Sequence, residues 1–150
     1  MDNCVFCKII KGEIDCAKIW EDENFFAILD MNPNTRGMAL VLPKSHFDSY
    51  VFLMPDEIYQ KLMMVSKTVG QILEKSLGAK RVAMVMEGMG VNHAHIKLYP
   101  MYGLDDEFKQ IVAKDRVFFE KYPGYITTLM GPQADLKSLK ELAEEIRVNS

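Results

Sequence analysis

Hydrophobic and polar positions change their spacing several times along the chain, and each change marks an element. Cys4 to Lys11 reads as a short helical turn ended by Gly12. Ala17 to Glu21 and Phe25 to Leu29 are β-rich runs, and the polar Asp22-Glu23-Asn24 between them reads as a hairpin turn. Asn32-Pro33-Asn34 punctuates the chain, and Gly37 leads into a third strand, Met38 to Leu42, which Pro43 stops. The period then lengthens. Ile58, Leu62, Val65, Val69, Ile72 and Leu73 recur at helical spacing. Pro55 suits a first helical position, Asp56 and Glu57 suit the positive end of the dipole, and Gly78 closes the segment. A long amphipathic helix is expected there. Arg81 to Glu87 and His93 to Pro100 return to strand character, with Gly88-Met89-Gly90 read as a tight connection.

Beyond Tyr102, Asp105 to Lys121 is a helix candidate, and Asp135 to Arg147 a firmer one, with Leu136, Leu139, Leu142 and Ile146 on one side. Pro123-Gly124 and Gly131-Pro132 break the region between them. No chemical motif falls there, so the segment reads as a packing or dimerisation extension. The expected fold is α+β: a mainly antiparallel five-stranded sheet with a long helix packed on it, plus a helical C-terminal extension. The expected division is a domain over residues 1–102 and the extension over 103–150, packed on the same domain.

Composition narrows the function classes. A chain of 150 residues, 49% hydrophobic and 26% charged, suits one ordinary core. Its net charge of −3, without a basic block, leaves no electrostatic footprint for nucleic acid or an anionic membrane. The first residues lack a secretory pattern and the apolar runs are too short to cross a bilayer, so a cytoplasmic location is expected. Three cysteines, an odd number, favour reduced thiols or metal ligation over a disulfide framework.

The stretch with the most chemistry is Gly90 to Pro100, GVNHAHIKLYP. With side chains alternating faces, His93, His95, Lys97 and Tyr99 share one face of a strand, and Ala94, Ile96 and Leu98 share the other. The apolar face covers a core, which leaves the polar face for chemistry. A lone strand histidine is ordinarily structural. Here the chain has only three histidines, two lie in this stretch, and the third, His46, follows Pro43-Lys44-Ser45 just after a strand.

Cys4 and Cys7 have the spacing of half a zinc site, and the only histidines to complete it are His46, His93 and His95, since Cys16 stands apart. Separations of about forty residues exclude a compact finger, so the site would be assembled from distant elements. A redox pair is the competing reading. It expects the motif between a strand and a helix of a βαβ unit, whereas this pair opens the chain.

Several of these segments together, Cys4-Val-Phe-Cys7-Lys-Ile-Ile-Lys-Gly-Glu-Ile, Trp20-Glu-Asp, Phe26-Ala-Ile-Leu-Asp30, Gly37-Met-Ala-Leu-Val-Leu-Pro-Lys-Ser-His46 and His93-Ala-His95-Ile-Lys-Leu, resemble the histidine triad (HIT) superfamily of nucleotide hydrolases and transferases. The match runs in order from about Cys4 to Pro100 and is closest to the zinc-containing bacterial branch. The resemblance implies a structural zinc on Cys4, Cys7, His46 and His93. It implies His95 as the nucleophile that attacks the α-phosphorus and forms a covalent nucleotidyl-imidazole. Asp30 would bind the ribose hydroxyls, and Val5, Phe6, Ile9 and Leu29 would form the wall for the base. It also implies a homodimer, with the long helix at the interface, and a nucleoside monophosphate or nucleotide conjugate, expected to be a purine, as ligand.

The chain departs from the family pattern in particular places. Lys97 stands at the third triad position and Met38 where a histidine commonly follows the glycine. Asn92, assigned to substrate binding, replaces the proline of a Val-Pro-His sequence in the short-loop branch. A lysine there can neutralise a phosphate oxygen but is a poor proton shuttle near neutral pH. Galactose-1-phosphate uridylyltransferases, distant relatives, carry glutamine at that position, so transfer without a third histidine has precedent. Three readings follow: a nucleotide hydrolase or nucleotidyl transferase using His95 with Lys97 on the phosphate, a catalytically weak nucleotide-binding sensor using the same pocket, and a zinc-stabilised interaction protein.

Overall fold

The computed structural model describes residues 3–107, 114–127 and 133. The chain divides into two compact units, Met1–Asp106 and Glu107–Ser150. The first contains α1 (Val5–Ile10), β1 (Lys18–Glu21), β2 (Phe25–Leu29), β3 (Ala39–Pro43), a 3-10 turn at Val51–Leu53, α2 (Asp56–Leu77), β4 (Arg81–Val85) and β5 (Ile96–Met101). The strands form one sheet in the order β1-β2-β3-β5-β4, antiparallel at every junction. The α+β architecture expected from the periodicity is therefore present.

Local chemistry explains the punctuation. Asp22 turns the first hairpin because its carboxylate accepts from the backbone N–H of Asn24 at 2.8 Å and of Phe25 at 2.6 Å. Pro55 takes the N-cap position of α2, one residue earlier than expected, and Gly78 caps its end in the left-handed region at φ 67°. Gly37 is constrained twice: its φ is +79°, and a Cβ there would lie 2.3 Å from Leu77 Cδ1.

The sheet has an apolar cluster on each face. Alternation puts Phe25, Ala27, Ala39, Val41, Ile96 and Leu98 on one face, where Leu62, Val69 and Leu73 of α2 bury them. Phe6, Phe26, Ile28, Leu40 and Leu42 form a second cluster, with Ile9, Ile10 and Val91 packed against it. α1 thus packs on apolar positions of β2 and β3, on the face that also carries Lys97 opposite Leu40.

Two boundaries also change. His93 and His95 precede β5, which starts at Ile96, and residues 86–95 form a long loop instead of a tight connection at Gly88–Gly90. The register, Val85 opposite Lys97 and Arg81 opposite Met101, leaves the loop residues no ladder to join. In the second unit, the helix expected over Asp105 to Lys121 is absent from its described part, 114–121, which is irregular. Phe118 and Phe119 are 74% and 40% exposed, so that stretch has no buried apolar stripe to hold a helix. Asp135 to Arg147 lies outside the described residues. No helix among the described residues is long and apolar enough to cross a membrane.

Two buried positions of α2 test this packing with opposite signs. Leu62 is fully buried in the α2-side cluster, so Leu62→Ala should cost ~2–5 kcal/mol. Ser66 is equally buried, and its hydroxyl has no hydrogen-bond partner among the described residues, so Ser66→Ala should stabilise by ~1 kcal/mol. Urea unfolding of both variants checks the pair; a loss of stability in Ser66→Ala would show that the hydroxyl is satisfied.

Candidate metal centre and histidine site

Residues from three parts of the chain meet on the α1 side of the sheet. Cys4 is the N-cap of α1 and Cys7 lies in its first turn, His46 follows β3, and His93 lies in the loop before β5. One ligand atom from each of the four falls within 4.8 Å of all the others. The Cys4 and Cys7 sulfurs lie 3.5 Å from His93 Nδ1, and Cys7 sulfur lies 3.4 Å from His46 Nδ1. A tetrahedron with zinc-length bonds to sulfur and nitrogen has S···N edges of ~3.6 Å. The donor set could therefore hold a tetrahedral metal ion without rearrangement.

The tautomer of His93 supports this use. Its Nε2 donates to the Pro43 carbonyl at 2.8 Å, which leaves the Nδ1 lone pair directed at the thiols. Burial lowers the His93 pKa and keeps the ring neutral, as a ligand must be. Burial and the adjacent Cys4 thiol raise the Cys7 pKa, a direction that a bound cation reverses. Of the three histidines, His95 is the one outside this group, which resolves the choice that residue types alone left open.

His95 is 6% exposed, and its Nδ1–H donates to the His93 carbonyl at 2.7 Å. A carbonyl can only accept, so Nδ1 carries the proton and Nε2 keeps a free lone pair. Its pKa is lowered, first by burial and then by the Lys97 charge, against raising effects from that hydrogen bond, Asp30 and Glu87. Phe6 meets both rings edge-on, with centroids 5.8 Å from His93 and 5.3 Å from His95. The result is a neutral, oriented imidazole beside an apolar cluster.

The remaining residues singled out in the sequence are placed as follows. Lys97 belongs to a cross-strand row, Ile28 opposite Leu40 and Leu40 opposite Lys97, with Val85 on its other side. Asp30 follows β2, half-buried, and acts electrostatically on His95 and Tyr99. Val5 is partly exposed, and Phe6 and Ile9 pack with the second cluster. Leu29 packs on the α2 side of the sheet instead, whereas its neighbour Ile28 faces the α1 side. Period-two alternation from Phe26 could have found Ile28. Asn92 is engaged in bracing: its Oδ1 accepts from the Ser49 N–H at 2.9 Å and the Ser49 hydroxyl at 3.1 Å, and its Nδ2 donates to Asp48 at 3.2 Å.

Ser49 also donates to the Gly88 carbonyl at 2.6 Å, and a Cβ on Gly88 would lie 2.6 Å from the Ser49 carbonyl oxygen. Asp48, Ser49 and Glu87 are the contributors that sequence reasoning missed. Glu87 acts on His95, and one of its carboxylate oxygens is buried with no hydrogen-bond partner among the described residues. Only the conformation of residues 86–95 brings them to the site.

Together these features define an α+β domain with a Cys/His metal-binding group joined to a buried, oriented histidine. The HIT domain family model matches residues 11–103, and the chain belongs to the HIT family. An uncharacterized HIT-like protein of Methanocaldococcus jannaschii is 39% identical over 109 residues, 69% of this chain and 83% of that one. An adenosine 5′-monophosphoramidase of Schizosaccharomyces pombe is 32% identical over 106 residues, 68% of this chain and 80% of that one. A solved zinc-bound histidine triad family protein of Mycobacterium smegmatis is 32% identical, with a TM-score of 0.62 over 70% of this chain and 79% of that one.

The ligand geometry predicts that the ion and the fold are linked, because Cys4, Cys7, His46 and His93 come from separate elements. Chelation of the purified protein should lower its melting temperature by ten degrees or more, since a structural ion contributes on the order of ~10 kcal/mol. Thermal melts with and without chelator, alongside His46→Ala, measure this; an unchanged midpoint rejects the linkage.

Proposed function

We propose that this protein is an enzyme, a nucleotide hydrolase or nucleotidyl transferase, which cleaves nucleoside-phosphate-X substrates at the α-phosphate through His95. The observation that carries the reading is the His95 tautomer: Nδ1–H is held by the His93 carbonyl, and Nε2 is the unprotonated atom. In the first step Nε2 forms a bond to the α-phosphorus and the bond to X breaks, with X taking the electron pair. In the second, water or another acceptor attacks phosphorus, the P–N bond breaks, and the imidazole recovers its lone pair. Such transfers depend on orientation and charge neutralisation, which a buried ring and a neighbouring lysine supply.

Other residues take supporting parts in this reading. Val5, Phe6 and Ile9, with Ile28 on the sheet, offer an apolar wall for a base, expected to be a purine. Asp30, just beyond β2, suits the ribose hydroxyls. Asn92 orders the loop before His93, through Asp48 and Ser49. The ion on Cys4, Cys7, His46 and His93 is zinc, favoured by a tetrahedral thiolate-imidazole donor set and carried by the Mycobacterium smegmatis relative. It supplies fixed geometry, and no chemical step passes through it.

The activity in the name of the Schizosaccharomyces pombe relative supports an adenosine-phosphate substrate. Unbonded thiols at Cys4, Cys7 and Cys16 fit a reducing, cytoplasmic setting. The open edge of β4, with Met84 39% exposed, and the 62% exposed Met64 on α2 support a homodimer. The sensor reading draws on Lys97 and on Met38, which is buried and offers no polar donor.

AMP release from a set of adenosine 5′-phosphoryl conjugates decides between them. Wild type should turn over at least one conjugate, and His95→Ala should lose ~10³-fold or more, while retaining AMP binding. Quenching into alkaline denaturant, where a P–N bond to imidazole persists, should trap AMP on His95. Equal rates in the variant would sink the covalent reading; nucleotide binding without turnover of any conjugate would select the sensor.

A further inference from the structure

Lys97 bears on which leaving group the site accepts, an inference that rests on the function just proposed. A group leaves phosphorus in one of two ways. An amine needs a proton, delivered by an acid whose pKa lies near the working pH. A phosphate or sulfate oxygen departs as a stabilised anion and needs a positive counter-charge instead.

The groups around His95 offer charge and withhold protons. Lys97 is half-buried in the row with Ile28 and Leu40, on the same side of the sheet as the α1 cluster. Of the charges acting on His95, Lys97 is the cation and Asp30 and Glu87 are the anions. His95 has no proton to lend, because Nδ1–H is committed to the His93 carbonyl and Nε2 is the attacking atom. Tyr99, two residues beyond Lys97, holds its proton more tightly than usual, through burial and then through Asp30 and Glu87. A lysine ammonium is a compact, strongly hydrated point charge with three donors, suited to a phosphate or sulfate oxygen.

We propose that Lys97 makes the site selective for nucleoside 5′-phosphoryl anhydrides, whose leaving group is an oxyanion, over phosphoramidates, whose leaving group is an amine. The Nε2–P bond forms as the P–O bond to the leaving group breaks. The leaving oxygen takes the electron pair and departs unprotonated beside the lysine ammonium. Water then cleaves the P–N bond, its proton passes to solvent, and the nucleoside monophosphate is released. Phosphate-terminated and sulfate leaving groups share this chemistry.

The test uses three adenylyl donors on the metal-loaded full chain: diadenosine triphosphate, adenosine 5′-phosphosulfate and an adenosine 5′-alkylphosphoramidate. For wild type, kcat/KM should be higher for at least one anhydride than for the phosphoramidate, and which one leads separates a phosphate from a sulfate leaving group. Lys97→His should move the ratio toward the phosphoramidate by ~10-fold or more, since a positioned proton donor is worth ~10²–10⁴ in rate. Lys97→Gln should lower the anhydride rates more than the phosphoramidate rate. AMP binding by both variants verifies that they fold. An unmoved ratio in Lys97→His, or an equal fall for all donors in Lys97→Gln, overturns the inference. If turnover survives His95→Ala, or is absent with every donor, the proposed function itself falls and this inference with it. If His95→Ala abolishes turnover but the ratio ignores Lys97, this inference falls alone.

Discussion

Four polar contacts around one buried residue, His93, hold the centre of this protein together. The His93 ring turns Nδ1 to the two thiols, donates Nε2–H to the Pro43 carbonyl, and offers its own backbone carbonyl to His95. Its ring is inaccessible to solvent, so a missing partner would leave an uncompensated polar group in the interior. The metal-binding group, the end of β3 and the orientation of His95 are therefore a single constraint.

The sheet separates two tasks by face. Under α2, Leu62, Val69 and Leu73 bury an apolar surface. Under α1, the smaller cluster of Phe6, Phe26, Ile28, Leu40 and Leu42 borders the histidines. A six-residue helix is too short to be stable by itself, and α1 has no side-chain cap. Its placement depends on Phe6 packing and on Cys4 and Cys7. Chemistry is thus concentrated where the fold has the least intrinsic secondary structure and the most tertiary cross-links.

What the sequence disclosed follows from this separation. The period of 3.6 from Ile58 to Leu73 and the Asp22 turn were legible because they are local properties of one segment. Residue scarcity pointed to Cys4, Cys7 and the three histidines as possible ligands, and left open which histidines join the thiols. His93 and His95 kept an alternating pattern without being in a strand, because extended loop and strand share that alternation while only a ladder partner distinguishes them. Asp48 and Ser49 left no local signal, as their partners lie some forty residues away. That Leu29 faces α2 and Ile28 faces α1 follows from period-two alternation starting at Phe26.

The order of the four ligands along the chain has a bearing on biosynthesis. During translation Cys4 and Cys7 emerge first, His46 later, and His93 only after α2 and β4 have been made. Until then the nascent chain carries a bare dithiol, which is open to oxidation or to capture by adventitious metals. Completion of the Cys4, Cys7, His46 and His93 group is consequently a late event in synthesis. A ribosome stalled before residue 93 leaves a product that the cell's thiol and metal chemistry can tell from a finished one.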